Sequence, residues 1–416
     1  MRIPVFRSRR PRGARPRPAV PRRTLPTLAA LAATGLFVSA CAGGAGGGGG
    51  DTAAGDGYAY GASAEEVETA IADLDPVTLT YQVSATSQNS PQAVAYTEYA
   101  ETVEERSGGK ITLDLAWNQS IASYAEVDDA LIDGRIDLAL TIPAYDPGQY
   151  PAFNAFNEIL SGQPSPPLTG DLVTNLTAAE MGFTSPEILD EFESQGLMPL
   201  MPVFASGDYY ATCAEPATSA EDWEGLQVRV GSPAALAMVE HVGGSPVSIA
   251  GVEAYEALQR GTVDCTLALL SDVTQGGFFE VAPNLVHPTT TSFPRVALSI
   301  VAGQGVKGLP LAYQQILFDA FDGNFHGTMR MTNEGKADAV AAAHESDVDI
   351  LEVEPDLQDA IAEFAESTRE EVAASGVLGD DVLTRLDERS AHWAERAEEL
   401  GYTDGGSFED MSEWYD

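Results

Sequence analysis

Arg229 is the side chain of this sequence with the most chemistry to offer. It lies inside a strand-like run, Gly225-Leu226-Gln227-Val228-Arg229-Val230. Its planar guanidinium matches a carboxylate in bidentate fashion and cannot be deprotonated. In a chain with 63 Asp and Glu residues, an arginine at a strand edge also pairs readily with a surface acid, and composition alone favours that plainer role. The remaining reactive residues form no catalytic pattern. His241, His287, His326, His344 and His392 lack a zinc-binding spacing such as HExxH, and no GxSxG elbow, phosphate-binding glycine loop or CxxC pair occurs. The pairs Asp128-Asp129 and Asp380-Asp381 could be read as glycosidase carboxylates, but such neighbours arise by chance among so many acids. Neither an enzyme nor a metal or cofactor is expected.

The elements around Arg229 give it a place. Residues 226–230 read as a strand, 234–242 as a helix stopped by Gly243-Gly244, 246–249 as a strand, 252–260 as a helix ended by Gly261, and 263–270 as an apolar strand. Strands joined by helical crossovers make a parallel sheet, and ligands bind at the carboxyl ends of its strands, which is where Arg229 falls. An earlier half repeats the order: strand 77–83, a polar loop 84–90, helix 91–106 with Pro91 suited to its first turn, strand 111–117, helix 124–132 and strand 136–142. A short helix at 64–74 precedes it. Between the halves lie a loop at 157–169, a helix at 182–195, a strand at 196–204 and a first crossing at 205–210. The chain returns near Pro294-Arg295 into a strand at 296–301, followed by one long helix at 311–343 and two more at 356–375 and 380–400. Ser84, Thr141, Tyr145 and Tyr209 sit at strand ends that face a common cleft in this topology.

These residues carry a resemblance. Glu221-Asp222-Trp223-Glu224-Gly225-Leu226-Gln227-Val228-Arg229-Val230, Val242-Gly243-Gly244-Ser245-Pro246-Val247, Glu253-Ala254-Tyr255-Glu256-Ala257-Leu258-Gln259-Arg260-Gly261 and Val263-Asp264 are similar, in wording and spacing, to the extracytoplasmic solute receptors of TRAP transporters, the DctP-type family. Ser107-Gly108-Gly109-Lys110-Ile111 and Ala130-Leu131-Ile132-Asp133-Gly134-Arg135-Ile136-Asp137-Leu138 resemble it too. The resemblance implies an α/β fold, a two-domain periplasmic-binding-protein-like clamp with crossing strands and a long helix spanning both domains, its last helices packed against the second. It also implies that Arg229 makes a two-pronged salt bridge to a ligand carboxylate. Two departures narrow the ligand. Tyr209 stands where many members have a second arginine, and Cys265-Thr266-Leu267-Ala268-Leu269 replaces a Gln-Glu-x-Pro motif. Fewer charges and amides then line the pocket, so a ligand with one carboxylate and a more apolar body is expected. The candidate ligand-binding residues are Arg229, Tyr209, Ser84, Thr141, Tyr145 and Arg295, the last either as a second cation or as a domain-interface salt bridge.

Composition sets the surroundings. At 416 residues, 44% hydrophobic and 20% charged, the chain can build two domains with good cores. Nine of its 22 Lys and Arg fall in residues 1–40, leaving 13 to face 63 acids. Nucleic acid and anionic membrane surfaces are therefore poor partners, and an anionic ligand finds few cations to meet it. Residues 2–23 are basic, 25–38 apolar but too short to span a bilayer comfortably, and Val38-Ser39-Ala40-Cys41 resembles a lipobox. Cleavage would leave a diacylated Cys41, and Arg22-Arg23-Thr24-Leu25 hints at twin-arginine export. The Gly/Ala-rich residues 42–57 read as a tether. Setting Cys41 aside leaves Cys213 and Cys265, an even number in an exported protein, so a disulfide between them is expected.

The expected organisation is a lipoprotein signal peptide at 1–40, lipidated Cys and tether at 41–75, α/β domain I from 76–206 plus 296–330, α/β domain II from 207–295 plus 331–403, and an acidic tail at 404–416. The expected function is extracytoplasmic binding of an organic acid by a monomer, lipid-anchored at the outer face of the cell membrane, and delivery to the integral membrane subunits of a TRAP-type secondary transporter. A ligand-presenting sensory receptor and, more remotely, an acidic hydrolase are the alternatives.

Overall fold

Two crossover units of the same design hold the chain together. A computed structural model describes residues 57–90, 92–163 and 168–413, all within one compact unit, Ala53–Asp416. The leader, Cys41, the tether up to residue 56, Pro91 and residues 164–167 lie outside the described residues.

Helix α1 (Ala64–Ile71) opens on a Ser63–Glu66 capping box. It is followed by β1 (Val77–Gln82), α2 (Ala93–Arg106), β2 (Ile111–Ala116), α3 (Val127–Ile132) and β3 (Leu138–Thr141). Strand β1 lies between β2 and β3, parallel to both, with Val77 opposite Ile111 and Tyr81 opposite Leu138. Burial follows position: every residue of β3 is buried, whereas β2 at the edge starts by alternating. Helices α4 (Pro151–Ile159), α5 (Thr169–Thr184) and α6 (Pro186–Ser194) then lead to β4 (Met198–Phe204). Neither α4 nor most of α5 is expected from the sequence. The single helix at 182–195 is in fact the end of α5 and a fresh start at Pro186, whose fixed φ suits a first helical turn.

The second unit runs β5 (Tyr209–Cys213), α7 (Ala220–Trp223), β6 (Gln227–Val230), α8 (Pro233–His241), β7 (Ser245–Ser248), α9 (Ala254–Gln259), β8 (Cys265–Leu269), α10 (Leu270–Gly276) and β9 (Asn284–His287). Here β6 lies between β7 and β8, parallel to both, as β1 does between its neighbours. The chain closes with β10 (Leu298–Ala302), α11 (Gln304–Lys307), α12 (Leu311–Asp319), α13 (Phe321–Glu345), β11 (Asp349–Glu352), α14 (Pro355–Ser375) and α15 (Val382–Leu400).

The sheets have the orders β2-β1-β3-β10-β4 and β11-β9-β5-β8-β6-β7. Each contains an inner antiparallel strand supplied by a crossing: β4 leads out of the first sheet into β5, and β9 leads out of the second into β10. Helix α13 links the two cores, burying Phe321 and Met329 with the first sheet and Ala339 and Val340 with the second. Two expectations are corrected. The continuous helix at 311–343 is broken at Ala320, which caps α12 at φ −73°, ψ −10° before α13 restarts. The last helices do not both pack on the second lobe. Helix α14 buries Leu357, Ile361 and Phe364 there but Val372 with the first, while α15 lies along α5 of the first, with Trp393 Nε1 donating to Glu180 at 2.8 Å.

Candidate functional site

Alternation along β6 turns Val228 and Val230 into the core of the second lobe and Arg229 to the other face. Arg229 is only 5% exposed. Its Nε donates to Ile249 O at 2.9 Å and its Nη1 to Leu267 O at 3.2 Å, while Nη2 has no partner among the described residues. A Cβ on Gly231 or Gly251 would lie 3.2 or 3.5 Å from Nη2, so the bare backbone leaves the approach open. The guanidinium is thus fixed by two carbonyls, with one edge still to be used.

Tyr209 opens β5 opposite Leu269 and is 8% exposed. Burial raises the pKa of its phenol and the charge of Asp272 raises it further, against the pull of Arg229. Tyr145 ends the turn Pro143–Tyr145 of the first lobe, 45% exposed, and packs edge-to-face on Tyr124 with ring centroids 6.4 Å apart. Its hydroxyl lies in the field of both Arg229 and Asp272, across from its own lobe. Ser84 follows β1, and its Oγ lies 2.6 Å from the Tyr96 hydroxyl. Thr141, the last residue of β3, stands opposite Ser299 at 1% exposure, its hydroxyl without a partner among the described residues. The structure therefore brings Arg229, Tyr209 and Tyr145 together, with Ser84 beside Tyr96 next to them.

Arg295 goes elsewhere. It is fully buried, its Nη1 donating to Asp171 Oδ1 at 3.0 Å and its Nη2 to Asp208, while Lys336 Nζ donates to Asp171 Oδ2 at 2.5 Å. In place of a second cation for the ligand, the protein has the interface salt bridge. It ties α5, both crossings and α13 at one point. Burial pushes the Asp171 carboxyl up, but Lys336 and Arg295 draw it below its ordinary value. Burial and the charge of Asp171 push Asp208 up to about 7, against the pull of Arg295.

Sequence reasoning missed Asp272. It stands in the first turn of α10, just beyond β8, and is exposed to solvent. Desolvation by the protein around its carboxyl raises its pKa to about 6, Arg229 pulling the other way. Following β8 past its apolar run would have reached it. Cys213 and Cys265 are directly opposed on β5 and β8 and joined, with Cα atoms 4.1 Å apart. Among the described residues no group of three or more His, Cys, Asp or Glu could hold a metal ion, and no helix is long and apolar enough to cross a membrane. A cavity of about 1340 Å³ lined by Tyr58, Phe183, Phe318 and Phe325 lies away from Arg229.

The sequence profile of DctP, the bacterial extracellular solute-binding protein family 7, matches residues 83–375. The chain belongs to this family. DctP-family members are solute-binding proteins, and several curated relatives are named as binding proteins too. The ectoine-binding periplasmic protein TeaA of Halomonas elongata is 25% identical over 206 residues, 48% of this chain and 59% of TeaA, so the match spans under two thirds of that relative. A solute-binding protein of Verminephrobacter eiseniae is 27% identical over 57% of this chain and 68% of its own length. Solved structures share the fold: a TRAP periplasmic solute-binding protein from Desulfovibrio salexigens with orotic acid, at 19% identity and TM-score 0.63, covers 76% of this chain and 99% of its own. The sugar-acid-binding DctPAm of Advenella mimigardefordensis with galactonate, at 20% identity and TM-score 0.62, covers 78% and 100%.

Proposed function

We propose that this DctP-family protein is an extracytoplasmic receptor that binds an organic acid through Arg229 and hands it to the integral membrane subunits of a TRAP-type secondary transporter. The observation that carries the reading is the Arg229 guanidinium, buried, oriented by two backbone carbonyls and with Nη2 unused. A buried cation with a free edge is costly unless something anionic completes it. Galactonate and orotic acid in structures of the same fold accord with a carboxylate as that partner. Tyr209, Tyr145, Ser84 and Thr141 would line the remainder of the site. The protein acts as a monomeric carrier rather than an enzyme, held to the outer face of the cell membrane by lipid on Cys41.

A thermal-shift screen of the chain lacking residues 1–41 against a library of organic acids tests this, since a ligand that binds the native state raises its melting temperature by mass action. One carboxylate class should stabilise the native protein, and Arg229→Ala should lose that response. Equal stabilisation of both proteins would place the site elsewhere.

A further inference from the structure

Arg229 does not face the ligand alone. It stands opposite Thr266 on β8 and donates to Leu267 O; Tyr209 pairs with Leu269 at the end of the same strand, and Asp272 lies three residues further on. The register thus delivers a cation and a carboxylate to one strand end. They are not paired with each other: no N–O contact of 4.0 Å or less joins them among the described residues, and Asp272 accepts no hydrogen bond there. The other nearby cations, Arg295 and Lys336, are taken by Asp171 and Asp208. From the first lobe, Tyr124 and Tyr145 pack edge-to-face with ring centroids 6.4 Å apart, and both feel the charge of Asp272.

Resting on Arg229 as the carboxylate anchor, we infer that the ligand is a zwitterion whose cationic nitrogen is held by Asp272, with Tyr124, Tyr145 and Tyr209 around it. A simple monoanion on Arg229 would lie beside an uncompensated carboxylate and be repelled. A second acidic group would fare worse. A zwitterion gives each protein charge its counterpart, and tyrosine faces are attractive to an ammonium as well.

The test uses pairs of ligands that differ only in the cation: glycine betaine against 3,3-dimethylbutanoate, and L-proline against cyclopentanecarboxylate, within a wider panel of amino-acid and betaine zwitterions. Binding is measured by calorimetry at pH 8 to native protein, Asp272→Asn and Arg229→Gln, with thermal unfolding confirming that each variant folds. In at least one pair the native protein should bind the zwitterion about tenfold more tightly or better, the size of one partly solvated charge pair. Asp272→Asn should close or invert that gap by gaining affinity for the anionic isostere, and Arg229→Gln should lose both ligands. A native protein that prefers the isosteres or binds no zwitterion in the panel, or an Asp272→Asn variant that keeps the gap, overturns the inference while leaving Arg229 as anchor. Undiminished binding by Arg229→Gln would instead sink the anchor itself.

Discussion

Two glycines decide how near a ligand comes to Arg229. Gly231 is the tighter, since an added Cβ would meet Nη2 at 3.2 Å and Val296 Cγ2 at 3.5 Å. Gly231→Ala should therefore weaken ligand binding by about tenfold while costing under about 1 kcal/mol of stability, because the methyl crowds the approach and not the core; calorimetry and urea unfolding on the same samples check both halves. Asp208 gives a prediction of opposite character. Its folded pKa of about 7 lies above the unfolded value near 3.9, so between roughly pH 4 and 7 the native state holds a proton that the unfolded chain has lost. Stability from this group is therefore full at low pH and falls as pH rises through that window. Asp208→Asn, which cannot titrate, should match the native protein near pH 4 and gain on it toward pH 8, read from unfolding midpoints across the range. Asp171 runs the other way: its lowered pKa contributes stability that is lost as pH falls below the ordinary carboxylate range.

At the scale of elements, the pairing of β5 with β8 is fastened by the Cys213–Cys265 bond, which closes a separation of 52 residues. A loop of that length contributes roughly 3–4 kcal/mol through the unfolded chain, so a Cys213→Ala/Cys265→Ala variant should lose about that much in urea unfolding. Elsewhere one glycine lets two segments touch. A Cβ on Gly303 would fall 2.2 Å from Leu131 O, so Gly303→Ala should cost about 1–3 kcal/mol by forcing β10 and α3 apart. The strands around Arg229 were legible because short apolar runs there are bounded by turn residues. Strands β9 (Asn284–His287) and β11 (Asp349–Glu352) were not, because polar residues sit in both and their extended form comes from distant partners, β9 pairing with β5 and β11 with β9. The helix break at Ala320 was equally hidden, since no glycine or proline marks it. Of the site, Arg229 was readable from its strand. The partners of Arg295 were not: Asp171 and Asp208 lie 124 and 87 residues away, on elements that only the folded chain brings together.

For the molecule as a whole, charge is the dominant surface property. With 63 acids against 22 basic residues, nine of which lie in the leader, the folded surface repels itself. Salt shortens that repulsion to about 10 Å at 0.1 M, so raising sodium chloride from about 0.02 to 0.5 M should lift the melting temperature by several degrees, in a scan run without ligand. Constant or falling stability would mean that the acids are already compensated. The duplicated crossover unit explains why the architecture could be read at all: two matching strand-helix patterns, 77–142 and 226–270, specify parallel sheets without reference to one another.

Strand β10 makes the two lobes unequal in time. It sits between β3 and β4, with Ser299 opposite Thr141, so a chain emerging from its N-terminus carries a first sheet with a vacant slot until residue 302 arrives. Strands β5 to β9, by contrast, are contiguous and complete by His287. The second lobe can therefore assemble while the first is still waiting, and a chain stopped at residue 290 would hold most of one sheet and two unjoined pieces of the other. Synthesis from the amino end thus favours an order of folding: the lobe that carries Arg229 has strands β5 to β9 first, and the other lobe is finished by β10, the strand that follows them.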